Sequence, residues 1–192
     1  MHRVIHYFNS YNILEKATQD FLYSHGRIQT FSKGSYYIHN QETKHDWCFL
    51  LEGLLGYEVI SDTGSALEQL CPTQSYFVGT KHLYSSSAKN TALIFLQNSV
   101  VYSISNHNLR LGIAQHPELD HVYHILKQHE LNLTAIFLRL PKIAREERLS
   151  YLYHSLPEVI GKLTIQQVCS LLGYTDNRQY YKALNYYFEN RL

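Results

Sequence analysis

A heptad constrains this chain more than any other feature of its sequence. Leu119, Val122, Leu126, His129, Leu133, Ile136 and Leu140 are spaced 3, 4, 3, 4, 3 and 4. Six apolar side chains and one polar one therefore fall along a single line of a helix. Pro117 suits the first helical position and Pro141 breaks the pattern. At the rise of an α-helix, Pro117–Leu140 predicts a rod of roughly 36 Å. A strict period sustained that long predicts a dimer seam, the alternative being an amphipathic helix packed within one chain. His129 is the polar member of the seam. Two copies facing each other would resist double protonation and weaken a dimer below about pH 6, unless the ring faces solvent. A second stripe, Tyr123, Phe137 and Leu138, is expected to lie on the neighbouring domain.

Upstream of the rod the texture is different. His2 to Tyr23 predicts one helix or two, ended by Gly26. From Arg27 to Ser105 short aromatic and β-branched clusters alternate with turn residues. Strands are predicted near Arg27–Phe31, Tyr36–His39, Cys48–Leu51, Gly53–Ile60, Ala66–Cys71, Tyr76–Val78, Thr91–Phe95 and Ser99–Ser103, with Gly34, Gly53 and Gly64 at breaks between them. About eight antiparallel strands in so short a stretch suggest a jelly-roll-like barrel. Asn106 to Ala114 reads as a short helix leading into the rod.

Downstream, Lys142 to Leu156 predicts a helix burying Ile143, Leu149, Leu152 and Tyr153, closed by Pro157. Leu163 to Phe188 then has the form of a helix-turn-helix. Ile165, Val168, Cys169 and Leu172 make the apolar side of a first helix. Gly173 can leave that helix through a left-handed conformation. Thr175, Asp176 and Asn177 supply side chains able to cap a second helix, Asn177 to Phe188. Such a hairpin can lay its second helix in the DNA major groove, and it also occurs as plain packing.

Composition narrows the field. Apolar residues make up 45% of the 192, enough for proper cores. No apolar run approaches the roughly 18–20 residues of a membrane span, and Met1 to Ser10 lacks the form of a secretory signal. Three cysteines, Cys48, Cys71 and Cys169, form no CxxC pair and read as small buried residues in a reducing cytoplasm. Net charge is +1. Pro141 to Leu192 carries seven Lys or Arg against five Asp or Glu, which permits nucleic-acid binding without arguing for it. Signatures of hydrolases, P-loops and dinucleotide binding are missing, so no enzyme is expected. Among twelve histidines, His121 with His124 and His39 with His45 fall short of a three- or four-ligand set, and no metal or cofactor is expected.

In its order of parts the chain resembles Crp/Fnr-type transcription regulators, over about Thr30 to Leu184. In the barrel the likeness rests on Phe31-Ser32-Lys33-Gly34-Ser35 and Cys48-Phe49-Leu50-Leu51-Glu52-Gly53, corners of cyclic-nucleotide-binding folds. In the C-terminal part it rests on Ala144-Arg145-Glu146-Glu147-Arg148-Leu149 and Val168-Cys169-Ser170-Leu171-Leu172-Gly173. It also resembles the short members without a β-wing, since only four residues follow Phe188. The resemblance implies an α+β chain: residues 1–115 a cyclic-nucleotide-binding-like β-roll with an N-terminal helix, 116–140 a long dimerisation helix, and 141–192 a helix-turn-helix DNA-binding domain. It implies an effector pocket at Phe77, Gly79, Thr80, Lys89, Asn90 and Thr91.

The sequence departs from the family at that pocket. The family's ribose-binding Glu and phosphate-binding Arg fall on Thr80 and Asn90, so the two strongest contacts to a cyclic nucleotide are missing and cyclic AMP is not expected. The cysteine set of the oxygen sensors is absent as well, which disfavours an iron–sulfur cluster. A second departure concerns the recognition helix, whose usual Glu and Arg positions hold Asn177 and Tyr181. The usual register would turn Gln179 and Lys182 inward, which is costly. Tyr180, Leu184 and Tyr187 form the stripe that burial wants. Leu172-Gly173-Tyr174-Thr175-Asp176-Asn177, ending at Tyr187-Phe188, resembles the second hairpin of AraC-type regulators. A helix turned by one position would present Arg178, Tyr181, Lys182 and Asn185, with Thr175 and Asn177 at its start.

The expectation is a cytoplasmic, homodimeric regulator that binds double-stranded DNA and takes at most an unidentified small-molecule effector. A degenerate interaction module without DNA binding is the first alternative. A small-molecule or metal-binding barrel enzyme is the second.

Overall fold

The computed structural model describes residues 2–9, 14–39, 42–61, 64–79 and 91–190. Helices α1 (His2–Asn9) and α2 (Lys16–His25) lead into eight strands: β1 (Gly26–Phe31), β2 (Tyr36–Ile38), β3 (Asp46–Glu52), β4 (Leu54–Ser61), β5 (Gly64–Pro72), β6 (Tyr76–Val78), β7 (Ala92–Phe95) and β8 (Ser99–Ser105). They form two four-stranded antiparallel sheets, ordered β1-β8-β3-β6 and β2-β7-β4-β5. After them come α3 (Asn106–Gln115), α4 (Pro117–Arg139), α5 (Arg148–Ser155), α6 (Ile165–Leu172) and α7 (Asn177–Glu189). The architecture is α+β, a β-roll followed by a long helix and a C-terminal helical part. No helix among the described residues is long and apolar enough to cross a membrane.

The period of a strand explains the layers. Successive side chains point to opposite faces, so a strand buried on both sides must be apolar throughout. In β3, Cys48 and Leu50 point into the roll, whereas Trp47 and Phe49 point outward under the helices. In β6, Phe77 points in while Tyr76 and Val78 point out. The roll interior holds Tyr37, Leu55, Tyr57, Cys71, Phe77, Leu93, Phe95 and Val101, with Phe31 stacked on Phe95 at 4.4 Å between ring centres. The outer core under the first sheet adds Val4, Ile5 and Phe8 of α1, Leu22 of α2, Leu109 of α3 and the first half of α4. A third core joins the outer face of the second sheet to the C-terminal helices. Leu54, Leu67, Leu70 and Leu96 there meet Leu149, Leu152, Val168, Leu172 and Ala183. Two hydrogen bonds cross the same boundary, Leu67 N–H to Ser170 Oγ at 2.8 Å and Gln97 Nε2 to the Lys162 carbonyl at 2.5 Å.

Helix α4 corrects the seam read from the heptad. Leu119, Val122 and Leu126 are buried in the outer core, and Leu133, Leu140 and half-buried Ile136 in the third. These residues face the chain's own two sheets and are not free to meet a second chain. His129 is exposed at the edge of that face, the solvent-facing alternative. In the second stripe Tyr123 and Phe137 are buried, but Leu138 points to solvent. Glu130 pins the rod to the roll, accepting from the Tyr76 hydroxyl at 2.6 Å and from Lys127 Nζ at 2.5 Å.

The predicted helix Lys142–Leu156 is also shortened. Leu140–Lys142 and Arg145–Glu147 are single 3₁₀ turns, and the helix runs only from Arg148 to Ser155. Pro141 lacks the N–H a continuous helix needs, and Arg148 donates to the Pro141 and Ile143 carbonyls in the irregular stretch that follows.

Candidate nucleic-acid interface

The hairpin is capped at every end. Thr164 and Gln167 form a capping box: Thr164 Oγ1 accepts from the Gln167 N–H at 3.2 Å, and Gln167 Oε1 accepts from the Thr164 N–H at 2.9 Å. At the other end of α6, Gly173 takes a left-handed conformation, φ 67° and ψ 35°. The Gly173 N–H reaches the Ser170 carbonyl and the Tyr174 N–H the Cys169 carbonyl, the two bonds of a Schellman motif. A Cβ on Gly173 would come no nearer than 3.4 Å to Arg148 Nη1, so the demand is one of backbone angle rather than space. Gly173→Ala is expected to cost about 1 kcal/mol, read as a shift in the urea midpoint at unchanged m-value.

Two interactions aim the turn. Tyr174 is buried and its hydroxyl donates to the Arg145 carbonyl at 2.8 Å, burial pushing that hydroxyl's pKa up to about 12. The Arg148 guanidinium spreads over three carbonyls, Leu172 at 2.7 Å, Pro141 at 3.1 Å and Ile143 at 3.1 Å. One side chain thus ties the end of the rod to the end of α6.

Asp176 starts α7, its Oδ1 accepting from the N–H groups of Arg178 at 2.8 Å and Gln179 at 3.1 Å. Gln179 turns back to Thr175, giving Nε2–H to Oγ1 at 2.8 Å and taking the Thr175 N–H at 3.3 Å. The inner face of α7 is Ala183 and Tyr187, with Tyr180 and Leu184 half-buried. The outer face carries Arg178, Tyr181, Lys182 and Asn185, all exposed. Thr175 and Asn177 are exposed at the helix start, and Asn177 Oδ1 lies 3.9 Å from Cys169 Sγ, turned back toward α6. Phe188, expected only as the end of the helix, extends the same outer face and is exposed beside buried Tyr187. Its i+7 spacing from Tyr181 was the available signal.

Acids border this face. Lys182 Nζ lies 3.8 Å from Glu146 Oε2, a solvated pair that contributes little. The Tyr186 hydroxyl donates to Glu147 Oε1 at 3.4 Å, and the negative charge of Glu147 raises its pKa. These neighbours leave the surface nearly neutral.

The expected effector pocket is only partly described. Phe77 is buried against Tyr37 and Phe95, so it fills the roll instead of lining an opening. Gly79 sits where a Cβ would run into the Lys44 carbonyl, its N–H donating to the Asp46 carbonyl at 2.9 Å. Thr91 is half-buried, and Thr80, Lys89 and Asn90 lie outside the described residues. Among the described residues no group of three or more metal-ligating side chains gathers within the chain.

Comparison with solved structures gives full-length likenesses at low identity. The c-di-GMP responsive global regulator CLP from Xanthomonas campestris matches with a TM-score of 0.67 at 14% identity, over 93% of this chain and 94% of that one. FixK2 from Bradyrhizobium japonicum matches at 0.70 and 13%, over 86% of each chain. A cyclic nucleotide-binding domain containing protein from Listeria monocytogenes matches at 0.72 and 14%, over 91% of each. No family sequence model and no curated protein sequence matches the chain. Likeness at such identity establishes architecture, and the architecture here, β-roll, long helix and C-terminal helix-turn-helix, is the fold of Crp/Fnr-type regulators.

Proposed function

We propose that the protein is a non-enzymatic, homodimeric transcription regulator that reads double-stranded DNA with α7. The observation that carries this reading is the outer face of that helix. Arg178, Tyr181, Lys182 and Asn185 are exposed together on a helix whose other side is buried and whose start is capped. A side chain near the N-terminus of a groove-bound helix reaches base edges, and Arg178 has the fork that matches guanine. Arg178→Ala should weaken binding to a selected duplex by about 1–3 kcal/mol, roughly five- to 150-fold, in fluorescence anisotropy. Unchanged affinity would remove Arg178 from the interface. Glu146→Gln should act the other way and strengthen binding by up to about fivefold, because it frees Lys182 and removes a negative neighbour of the phosphates.

The dimer is assigned to the side of α4 that its own core leaves free. His121, His124, Gln128, Leu131, Ala135 and Leu138 recur at spacings of 3, 4, 3, 4 and 3, and all six are exposed. Leu131 is 54% and Leu138 65% exposed, large apolar side chains in water on a helix otherwise well packed. In a parallel pair these are the two seam positions, and the flanking pairs would be Asp120 with Ile125, Lys127 with Asn132 and Thr134 with Arg139. None is a like-charge pair, so nothing in the flanks opposes self-association. A two-fold on this face brings two α7 helices to one side of the assembly, as half-site recognition needs.

The roll is assigned no cyclic nucleotide, in line with Thr80 and Asn90 at the family's Glu and Arg positions and with the aromatic filling around Phe77. A protein-binding module is favoured instead by one observation, the exposed Tyr181 and Phe188 on a helix whose Lys182 and Tyr186 already engage Glu146 and Glu147. A DNA affinity independent of salt would select that reading.

A further inference from the structure

The N-terminal half of the free α4 face is polar where its C-terminal half is apolar. Leu131, Ala135 and Leu138 can close dry against a second copy, whereas His121 and His124 would meet their own copies as imidazoles taken out of water. Resting on the dimer proposed above, we propose that His121 and His124 of two chains together bind one late first-row divalent cation such as Zn²⁺. Their spacing of three residues places them in adjacent layers of a parallel pair, about 4.5 Å apart along the axis. Two copies supply four nitrogen ligands, the number a tetrahedral Zn²⁺ takes, at bond lengths of about 2.0–2.1 Å. A single chain supplies only half of the set, so the site is incomplete without the second copy.

Two neighbours fit the assignment. Asp120 Oδ2 lies 3.5 Å from His124 Nε2 and is placed to accept that N–H, which leaves Nδ1 for the metal. The charged residues of the turns around the pair, 117–126, are Glu118 and Asp120, with no Lys or Arg among them. Two Asp120 carboxylates beside the ligands offset the charge of a dication. All-imidazole coordination without thiolate suits Zn²⁺, Ni²⁺ and Cu²⁺ over Mg²⁺ and Ca²⁺. The cation would lock the rods together at the end remote from the hairpins and leave Leu131 and Leu138 as the metal-independent part of the seam.

The test uses the full chain, stripped with a chelator, with Zn²⁺ for titration and Co²⁺ as a spectroscopic probe. One Zn²⁺ per two chains is expected by calorimetry. In sedimentation equilibrium the dimer dissociation constant should fall about a hundredfold when free Zn²⁺ is a hundred times its own dissociation constant. Bound Co²⁺ should give the intense visible bands of a tetrahedral site. In H121A/H124A the metal-free dimer should persist through Leu131 and Leu138, while the Zn²⁺ response and the Co²⁺ bands disappear. His129→Ala, on the same helix but off the stripe, should leave both intact. A wild-type dimer indifferent to Zn²⁺, or a Zn²⁺ response that survives H121A/H124A, overturns the site and leaves the dimer standing. A chain that stays monomeric with and without Zn²⁺ removes the dimer itself.

Discussion

Replacing Leu131 and Leu138 together by Asp should make the protein monomeric and lower its affinity for a duplex with two half-sites by at least about a hundredfold. Both side chains are more than half exposed in the single chain, so the substitutions disturb little of its packing and should cost only about 1–2 kcal/mol of folding stability, mostly through helix propensity and the acid placed in the last turn. In a pair of chains they set four carboxylates along one seam and remove its two largest apolar layers. Linked half-site binding then becomes two independent events, and the advantage of linkage, on the order of 10²–10⁴, is lost. Sedimentation equilibrium gives the mass and anisotropy the affinity. Leu126→Asp makes the contrast: Leu126 lies on the opposite, core-facing side of the same helix and is fully buried, so that variant should fail to fold. A double Asp variant that stays dimeric would move the interface elsewhere.

Arg148→Ala should cost about 3 kcal/mol, a fall in melting temperature of about 6–12 °C for a chain of this size. Each hydrogen bond from a charged donor is worth about 1.5–3 kcal/mol net, and the half-exposed guanidinium makes three. The expected total lies below their sum because carbonyls near the surface regain water. The Leu172 carbonyl belongs to the open end of α6, and the Pro141 and Ile143 carbonyls to the irregular connection after the rod, so neither has a helical partner to return to. Lys at this position keeps the charge but not the fork and should recover less than half of the loss. A change below 1 kcal/mol in urea unfolding would mean that the connection holds its shape without the clamp.

The strands were readable because both faces of β3 and β6 are buried, which leaves dense apolar clusters between turn residues. The register of α7 was readable for a related reason. Gln179 and Lys182 cannot be turned into a core, and Tyr180, Leu184 and Tyr187 can, so one rotation of the helix satisfies burial. Which face of α4 lies on the chain's own sheets was not readable. Leu119, Val122, Leu126, Leu133 and Leu140 show the same spacing whether they meet another chain or the chain's own sheets. A 3.5-residue period drifts only about 20° per heptad from that of a straight helix, too little to separate the two cases over three repeats. The free stripe was masked by its polar members, His121, His124 and Gln128. The break itself stood in the sequence as Pro141, but the irregular stretch on to residue 147 is held by bonds from Arg148 that local propensity does not record. The capping box at Thr164 and Gln167 stood in the sequence as Thr-x-x-Gln and needed no tertiary information.

Selection of bound duplexes from a random pool by the purified protein tests the central claim most directly. An enriched inverted repeat is predicted, its half-sites about one helical turn apart, bound with an affinity that falls steeply with salt and is lost in R178A/K182A. A pool that returns no shared sequence, or one whose enriched duplexes bind R178A/K182A as tightly as the parent protein, would contradict it.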